Sequence, residues 1–248
     1  MVNWIDRIEY PVDWHDIVGV IHQRKWMNHI QIINHLIQKY GYKNYLEIGV
    51  HTKSVCFDLI RCSNKTGVDP GYENPNEPVD YPMESDHFFD ALRAGQTQFS
   101  PDHRWDIIFI DGLHLAPQVE RDVINSLMHL SERGTIVMHD CNPPTEVIAR
   151  EEYVNPNRKN LVFNGTSWYD EMCWCGTTWK AFYKFRASVE DISMWCVEDD
   201  FGVGIIQFGK QELAPFNNPY YEYKIMDANR VEHLNLITSE QFLKLFPL

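Results

Sequence analysis

The first half of the chain alternates between helical and strand-like hydrophobic spacing. From residue 25 to residue 40 apolar side chains recur every three or four positions, which predicts an amphipathic helix, and Gly41 is placed to end it. Further on, short apolar runs predict strands at 45–49, 65–69, 105–111 and 134–140, and helical spacing predicts helices at 52–61, 86–94 and 117–130.

The order of these elements predicts the architecture. The last two of the strand runs are almost continuously apolar, as in strands buried on both faces of a parallel sheet. A helix at 178–187 and two strands at 192–197 and 202–208 complete the pattern. Because strands that alternate with helices favour a covered parallel sheet, we predict an α/β, Rossmann-like three-layer sandwich. Its sheet is expected to be seven-stranded and mostly parallel, with a C-terminal antiparallel hairpin.

Charge and composition narrow the classes of partner. The chain carries 22 Lys and Arg against 35 Asp and Glu, and no basic run that could neutralise phosphates, so a nucleic-acid partner is not expected. It contains no run of about 18 apolar residues, so no membrane span is expected. The first residues lack the basic start and apolar core of a signal peptide. We therefore expect a cytoplasmic protein, which is free to form a homo-oligomer.

Six cysteines are present, and in a chain of this class reduced thiols are expected. Cys173 and Cys175 form a C-x-C rather than a C-x-x-C pair, and no second Cys/His pair lies nearby at zinc-finger spacing. A structural zinc site is therefore not favoured.

Polar side chains mark the ends of four consecutive predicted strands. Glu47, Asp69, Asp111 and the pair His139-Asp140 occupy these positions. Ligands of open parallel sheets bind beyond the carboxyl ends of the strands. Four such ends in a row therefore predict the rim of a ligand pocket.

The loop after the first strand indicates which ligand fits. Residues 49–54 lack the phosphate-loop pattern and the full G-x-G-x-x-G of a dinucleotide site, which disfavours an NAD-dependent oxidoreductase. Glu47 suits a cationic amino group better than a pyrophosphate, and Gly49 allows close approach of the backbone. Asp69 lies 22 residues after Glu47, about the spacing of a carboxylate that binds ribose hydroxyls. S-adenosylmethionine, a cationic nucleoside, meets this description.

These segments together resemble the class I S-adenosylmethionine-dependent methyltransferases, and are closest to a bacterial-type group with an IDGLH motif followed by HDC-x-P. The resemblance spans about residues 43–208. In one departure, the usual second glycine of the first loop is replaced around His51 to Lys53. The motifs are YLEIGVHTKS, TGVDP, ESDHFF, WDIIFIDGLHLAPQVERDV, GTIVMHDCNPP and TTWKAFYKFR.

The resemblance implies roles for individual residues. Glu47 and Gly49 would hold the methionine part of the cofactor, Asp69 the ribose hydroxyls, and Asp111 would face the methyl donor and acceptor. The remaining candidates for the cofactor site are two residues of the first loop, His51 and Ser54, and two that would lie beside the adenine, Ser85 and Asp86. An alternative for the last two is that they cap the helix that follows.

Three residues are candidates for the chemistry at the acceptor. His114 and His139 titrate near neutral pH and suit acid–base work, and Asp140 lies beside them. Asp111 and Asp140 are also candidate ligands of Mg²⁺, since some related O-methyltransferases use an Asp at each place plus an adjacent Asn or Asp. Here Cys141, a poor magnesium ligand, is adjacent, and Asn142 follows it.

The stretch at 143–176 is polar, aromatic and proline-containing without regular spacing, and we interpret it as a lid. Four aromatic residues in or near it either line an acceptor pocket or pack as core: Trp168, Tyr169, Trp174 and Trp179. A single domain is expected, with an N-terminal helical segment at 1–42, a cofactor-binding core at 43–142, the lid at 143–176, a helix and hairpin at 177–210 and a tail at 211–248.

The pattern as a whole predicts an enzyme that methylates a small-molecule acceptor, with a hydroxyl of a sugar or secondary metabolite as the expected site. An amine acceptor is one alternative. The other is a non-catalytic protein that binds S-adenosylmethionine, which the altered loop after Gly49 would suit.

Overall fold

The computed structural model describes residues 26–152, 161–163, 168–170 and 174–248. The helices are α1 (His29–Tyr40), α2 (Ser85–Arg93), α3 (Ala116–Met128), α4 (Thr178–Ser188), α5 (Tyr223–Ala228), α6 (Arg230–Leu234) and α7 (Ser239–Leu245). The strands are β1 (Asn44–Ile48), β2 (Asn64–Val68), β3 (Trp105–Ile110), β4 (Leu130–Met138), β5 (Leu161–Phe163), β6 (Trp168–Asp170), β7 (Ile192–Val197), β8 (Val203–Phe208) and β9 (Leu236–Ile237).

The main sheet has seven strands in the order β2-β1-β3-β4-β8-β7-β9. β2, β1, β3 and β4 are mutually parallel, whereas β8 runs antiparallel to both β4 and β7. The predicted hairpin is therefore confirmed, and β7 runs parallel to β4. As a result the turn between β7 and β8 lies at the same edge of the sheet as the carboxyl ends of β1 to β4.

Two hydrophobic clusters pack on opposite faces of the sheet. Side chains that alternate along each strand divide between them, so that Leu46 belongs to one cluster and its neighbour Tyr45 to the other. The first cluster packs α2, α3 and α4 through residues such as Phe88, Val123 and Phe182. The second packs α1 and α7. The predicted Rossmann-like three-layer sandwich is confirmed.

The predicted helix at 52–61 is wrong. Only a short 3₁₀ turn, Phe57–Leu59, forms there. Phe57 and Ile60 are buried, while Val55 and Leu59 are mostly exposed, so the apolar side chains do not form the continuous face that would hold a helix against the sheet. Backbone groups of this stretch bond instead to distant side chains, for example the Leu59 carbonyl to Asn34.

Helix α1 begins and ends as its sequence indicates. Asn28 and Gln31 form a capping box at its start, and Gly41 ends it in the left-handed conformation. Residues 1–25 of the predicted N-terminal segment lie outside the described residues. The tail at 211–248, which showed little pattern, contains α5, α6, β9 and α7. No helix in the described ranges is long and apolar enough to cross a bilayer.

Candidate active site

The loops after β1 and β3 are in direct contact at the carboxyl edge of the sheet. Gly49 has a φ of +90°, and a Cβ atom on it would lie 2.2 Å from the Asp111 carbonyl oxygen. The amide of Asp111 donates to the Ile48 carbonyl at 2.9 Å. Only glycine fits at position 49, because any side chain would collide with the backbone that carries Asp111.

Glu47 lies inside the protein rather than at its surface. Its side chain is 1% exposed and accepts a short hydrogen bond from the Tyr45 hydroxyl. Burial raises the pKa of Glu47 to about 8, and the hydrogen bond from Tyr45 only partly offsets this. Burial therefore favours the protonated form of the Glu47 carboxyl group.

Asp69 joins the loops that follow β1 and β2. Its Oδ2 accepts the His51 amide at 2.9 Å, and its Oδ1 accepts the Gly71 amide at 2.6 Å. His51 itself is exposed, with a φ of +47°, and Ser54 is also exposed. Asp69 thus lies at the carboxyl edge of the sheet, and its role as a ribose-binding carboxylate stays a prediction.

Ser85 and Asp86 do not cap α2 through their side chains. Glu84 stands at the cap position without a side-chain bond to the helix. Ser85 donates to Asp122 at 2.6 Å, and Asp86 pairs with Arg121 at 2.9 Å, so both reach across to α3. The capping alternative is wrong because α2 already begins at Ser85. Ser85 and Asp86 therefore lie in its first turn, and Glu84 occupies the cap position.

His114 connects the two carboxylates proposed as metal ligands. Its Nε2 lies 3.2 Å from Asp111 Oδ1, and its Nδ1 lies 3.3 Å from Asp140 Oδ2. Nδ1 is also 2.8 Å from the Trp174 carbonyl oxygen. Both ring nitrogens therefore face acceptors, which is the environment of a doubly protonated imidazolium.

The charges of this cluster support one another. Burial opposes a charge on His114, but Asp140 and Asp111 outweigh it and raise its pKa to about 9. In the same way the pKa of His139 is raised well above its usual value by Asp140 and Asp111. Burial would raise the pKa of Asp111, yet His139 and His114 outweigh it and hold that pKa well below its usual range. The carboxylates of the cluster thus stabilise the charged imidazoles, and the imidazoles stabilise the charged carboxylates.

His139 continues the cluster toward two residues that the sequence did not single out. Its Nδ1 lies 3.4 Å from Asp111 Oδ1 and 3.6 Å from Asp140 Oδ2, whereas its Nε2 lies 3.5 Å from Asp200 Oδ2. Asp200 in turn lies 2.6 Å from His29 Nδ1. The sequence did contain a signal for Asp200, the acidic turn at 198–201. If β7 runs parallel to β4, this turn lies at the carboxyl edge of the sheet.

The end of the stretch interpreted as a lid lies against His114. The amide of Thr177 donates to the His114 carbonyl at 2.7 Å, and the Trp174 ring centroid is 5.4 Å from that of His114. Trp179 packs in the core with 1% exposure, so it lines no acceptor pocket. The side chains of Trp168 and Tyr169 lie outside the described residues, as do 153–160, 164–167 and 171–173, which include Cys173.

The residues after Asp140 do not extend the set of carboxylates. Cys141 is fully buried and belongs to the core cluster on the α2–α4 face. Asn142 receives a hydrogen bond from Arg230 and contacts the Glu198 carbonyl at 3.5 Å. Of the predicted oxygen ligands, Asp111 and Asp140 come together at this site. A ligand atom of each, and one of His139, lie within 4.8 Å of one another.

Comparison with known proteins gives one match in sequence. A family model described as a methyltransferase domain matches residues 66–141, which run from β2 to the residue after Asp140. That stretch is less than half of the chain. No curated protein matches the sequence.

Three solved structures resemble the fold at low sequence identity. An O-methyltransferase from Bacillus cereus in complex with SAH gives a TM-score of 0.45 at 16% identity, over 80% of this chain and 91% of that one. An O-methyltransferase described as putative, from Klebsiella pneumoniae, gives 0.44 at 13%, over 81% and 92%. The sugar N-methyltransferase KedS8 from Streptoalloteichus gives 0.43 at 9%, over 85% and 99%. At these scores the likeness by itself decides neither activity nor substrate.

The matched stretch contains β2, β3 and β4, and the strand ends after them carry Asp69, Asp111 and Asp140. The family match and the polar edge of the sheet therefore coincide. The stretch at 66–141 is thus similar to a methyltransferase domain.

Proposed function

We propose that the protein transfers a methyl group from S-adenosylmethionine to a hydroxyl group of a small molecule, such as a sugar or a secondary metabolite. The observation that carries the proposal is the coincidence of the methyltransferase-domain match with a cluster of carboxylates and histidines at one edge of the sheet.

The residues at this edge suit a cationic nucleoside. Asp69 at the rim would accept the ribose hydroxyls, while Glu47 would face the amino group of the methionine part. The backbone at Gly49 leaves no side chain between the first loop and Asp111. When bound, S-adenosylmethionine supplies a methyl group on a positively charged sulfur, which favours carboxylates nearby. His51, Ser54, Ser85 and Asp86 remain predictions for the cofactor site, and the last two are engaged with α3.

His114 is the group proposed to take the proton of the acceptor. In the described arrangement Asp111 and Asp140 hold it in the protonated state, in which it donates but does not accept. Beside a sulfonium, the two carboxylates would hold that proton less strongly, because their negative charge is partly offset. Once that proton has been released to solvent, the neutral ring could accept the proton of the hydroxyl group that is methylated, with Asp140 fixing the orientation of the ring.

Asp111 and Asp140 would hold Mg²⁺ if the reaction uses it. Two carboxylates within ligand distance fit a hard cation that keeps several waters, although Asn142 is turned away to Arg230. Such a cation would make the acceptor hydroxyl more acidic. Its binding competes with the protonated state of His114, because both place positive charge between the same carboxylates.

Titration calorimetry with S-adenosylmethionine and with SAH, followed by a turnover assay that detects SAH, tests the proposal. Panels of hydroxylated sugars and phenols should yield SAH, and matched amines should not. Turnover with amines alone would favour N-methylation instead. Tight cofactor binding without turnover on either panel would favour the non-catalytic alternative, and no binding at all would refute the proposal. Cytoplasmic location and homo-oligomerisation remain predictions, the second of which light scattering can test.

A further inference from the structure

We propose that His29, His139 and Asp200 form a binding site for one divalent transition-metal cation, separate from the Asp111–Asp140 pair. The proposal does not depend on methyl transfer, since it concerns the affinity of this site for the ion alone.

Three donor atoms from three separate elements converge there. His29 Nδ1 lies 2.6 Å from Asp200 Oδ2, and His139 Nε2 lies 3.5 Å from the same oxygen. All three ligand atoms lie within 4.8 Å of one another. Ligands at about 2.0–2.2 Å from a cation are separated by roughly 3 Å, so a single ion can reach all three with small side-chain movements.

The backbone holds the three residues in place. His29 begins α1, His139 follows β4 directly, and Asp200 lies in the turn between β7 and β8. The His29 amide donates to Asp200 Oδ2 at 2.8 Å, which ties that turn to the helix. Asp200 has a φ of +53°, a conformation that its turn imposes. The site is therefore formed by tertiary structure rather than by one flexible loop.

One of the donors has no hydrogen bond in the described structure. His139 Nε2 is buried, and no hydrogen-bond partner for it occurs among the described residues. Its nearest acceptor is Asp200 Oδ2 at 3.5 Å, so the Nε2 atom is available to a cation that binds the same carboxylate. The His139 side chain is 14% exposed and that of Asp200 15% exposed, which leaves the group within reach of a small ion from solvent.

The chemistry of the donors selects the type of cation. Two imidazoles and one carboxylate suit zinc, iron, cobalt or manganese, whereas Mg²⁺ prefers oxygen ligands. The ion would displace the proton that lies between His29 Nδ1 and Asp200, because a histidine binds a metal through a nitrogen that carries no proton. Open positions would remain for water or a substrate oxygen.

His139 also explains why this site is separate from the carboxylate pair. A neutral imidazole offers one lone pair, so His139 cannot bind through both nitrogens. If Nε2 binds the ion, Nδ1 carries the hydrogen and can donate to Asp111 or Asp140, at 3.4 Å and 3.6 Å. A ligand histidine that donates its other N–H to a carboxylate is the common arrangement around bound metals.

Optical titration of the full-length protein with Co²⁺, after chelator treatment and removal of any polyhistidine tag, tests the site. One Co²⁺ per chain should bind and produce visible absorption bands, which Zn²⁺ but not a large excess of Mg²⁺ should remove. His29→Gln and Asp200→Asn should each weaken binding by about tenfold or more. One control should change it little: His35→Gln, on the same helix as His29 but bonded to the Phe246 carbonyl.

Several results would overturn the proposal. One is the absence of Co²⁺ binding in the unmodified protein, and another is unchanged binding in a folded His29→Gln variant. Loss of binding in Asp111→Asn with binding retained in His29→Gln would assign the ion to the Asp111–Asp140 pair instead. Circular dichroism checks folding, and His29→Gln leaves intact the backbone bond between residue 29 and Asp200. Calorimetry with S-adenosylmethionine on the same samples shows separately whether the proposed function fails.

Discussion

Gly176 packs directly on His114. A Cβ atom at position 176 would lie 2.1 Å from the His114 carbonyl oxygen, and Gly176 has a φ of +58°. The same carbonyl accepts the Thr177 amide at 2.7 Å. The chain that returns from the stretch at 143–176 thus positions the histidine proposed as the proton acceptor.

Replacement of Gly176 by alanine should therefore reduce turnover and stability together. Gly95→Ala is the matched control, because Gly95 has a similar φ of +67° while its Cβ would meet nothing closer than 3.8 Å. We expect Gly95→Ala to cost about 1 kcal/mol of unfolding free energy for its left-handed backbone alone. Gly176→Ala should cost more, since His114 must move, and only this variant should lower kcat. Equal losses of stability and unchanged turnover would show that the contact does not position His114.

Removal of the Asp69 carboxylate should weaken binding of the cofactor. Asp69→Ala is expected to lower affinity for S-adenosylmethionine by more than about 1 kcal/mol, the value of a hydrogen bond to a charged group. Because the ribose is common to S-adenosylmethionine and SAH, calorimetry should show the same loss for both. Glu73→Ala, an exposed neighbour near His51, serves as control. Unchanged affinity in a folded Asp69→Ala protein would remove the ribose assignment.

Affinity for the cofactor should rise with pH because of Glu47. In the free protein its pKa is raised to about 8, so the carboxyl is mostly neutral at pH 7. A bound cation favours the carboxylate, and binding at pH 7 should release a proton from Glu47. Affinity should thus increase up to about pH 8 and then level off. Calorimetry in buffers of different ionisation enthalpy measures the released proton, and Glu47→Gln should remove this contribution. An identical proton count in both proteins would contradict the assignment.

Asp122 should lower stability at neutral pH. Burial raises its pKa to about 6, with hydrogen bonds from Ser85 and Gln118 only partly opposing this. The folded state therefore favours the protonated form. Stability should fall as pH rises from the unfolded pKa near 4 to about 6 and stay low above it.

Asp122→Asn keeps an oxygen for the Ser85 and Gln118 donors and removes the charge. We expect it to stabilise the protein by about 2 kcal/mol at pH 8 and by little near pH 4. Urea unfolding across this range measures the difference. Asp86→Asn, at a partly exposed neighbour paired with Arg121, should not show this pH-dependent gain. A gain independent of pH would indicate a packing effect instead.

Removal of divalent ions tests the proposed role of Asp111 and Asp140. If these carboxylates hold Mg²⁺ during the reaction, chelator should abolish turnover and added Mg²⁺ should restore it. Asp140→Asn should then raise the Mg²⁺ concentration needed for half-maximal turnover. Full activity in excess chelator would leave acid–base chemistry by His114 as the explanation for the cluster.

Local patterns in the sequence determined most of the sheet. Strands β1 to β4 and the β7–β8 hairpin were predictable because buried strands impose continuous or alternating apolar spacing, which is visible without the fold. The rule that parallel strands share one carboxyl edge also placed Glu47, Asp69, Asp111 and Asp140 at one edge. The helix at 52–61 failed because only Phe57 and Ile60 of its apolar positions are buried, while Val55 and Leu59 stay exposed, so no continuous helical face packs on the sheet.

Only the tertiary structure decided which polar residues meet. His29 and Asp200 are 171 positions apart and come together because β7 runs parallel to β4, which brings the β7–β8 turn to the start of α1. Trp179 is core whereas Trp174 lies beside His114, although both belong to the same aromatic stretch. Spacing along a chain reports which face a residue occupies on its own element. Contacts between elements depend on the direction and order of strands, which no local pattern encodes.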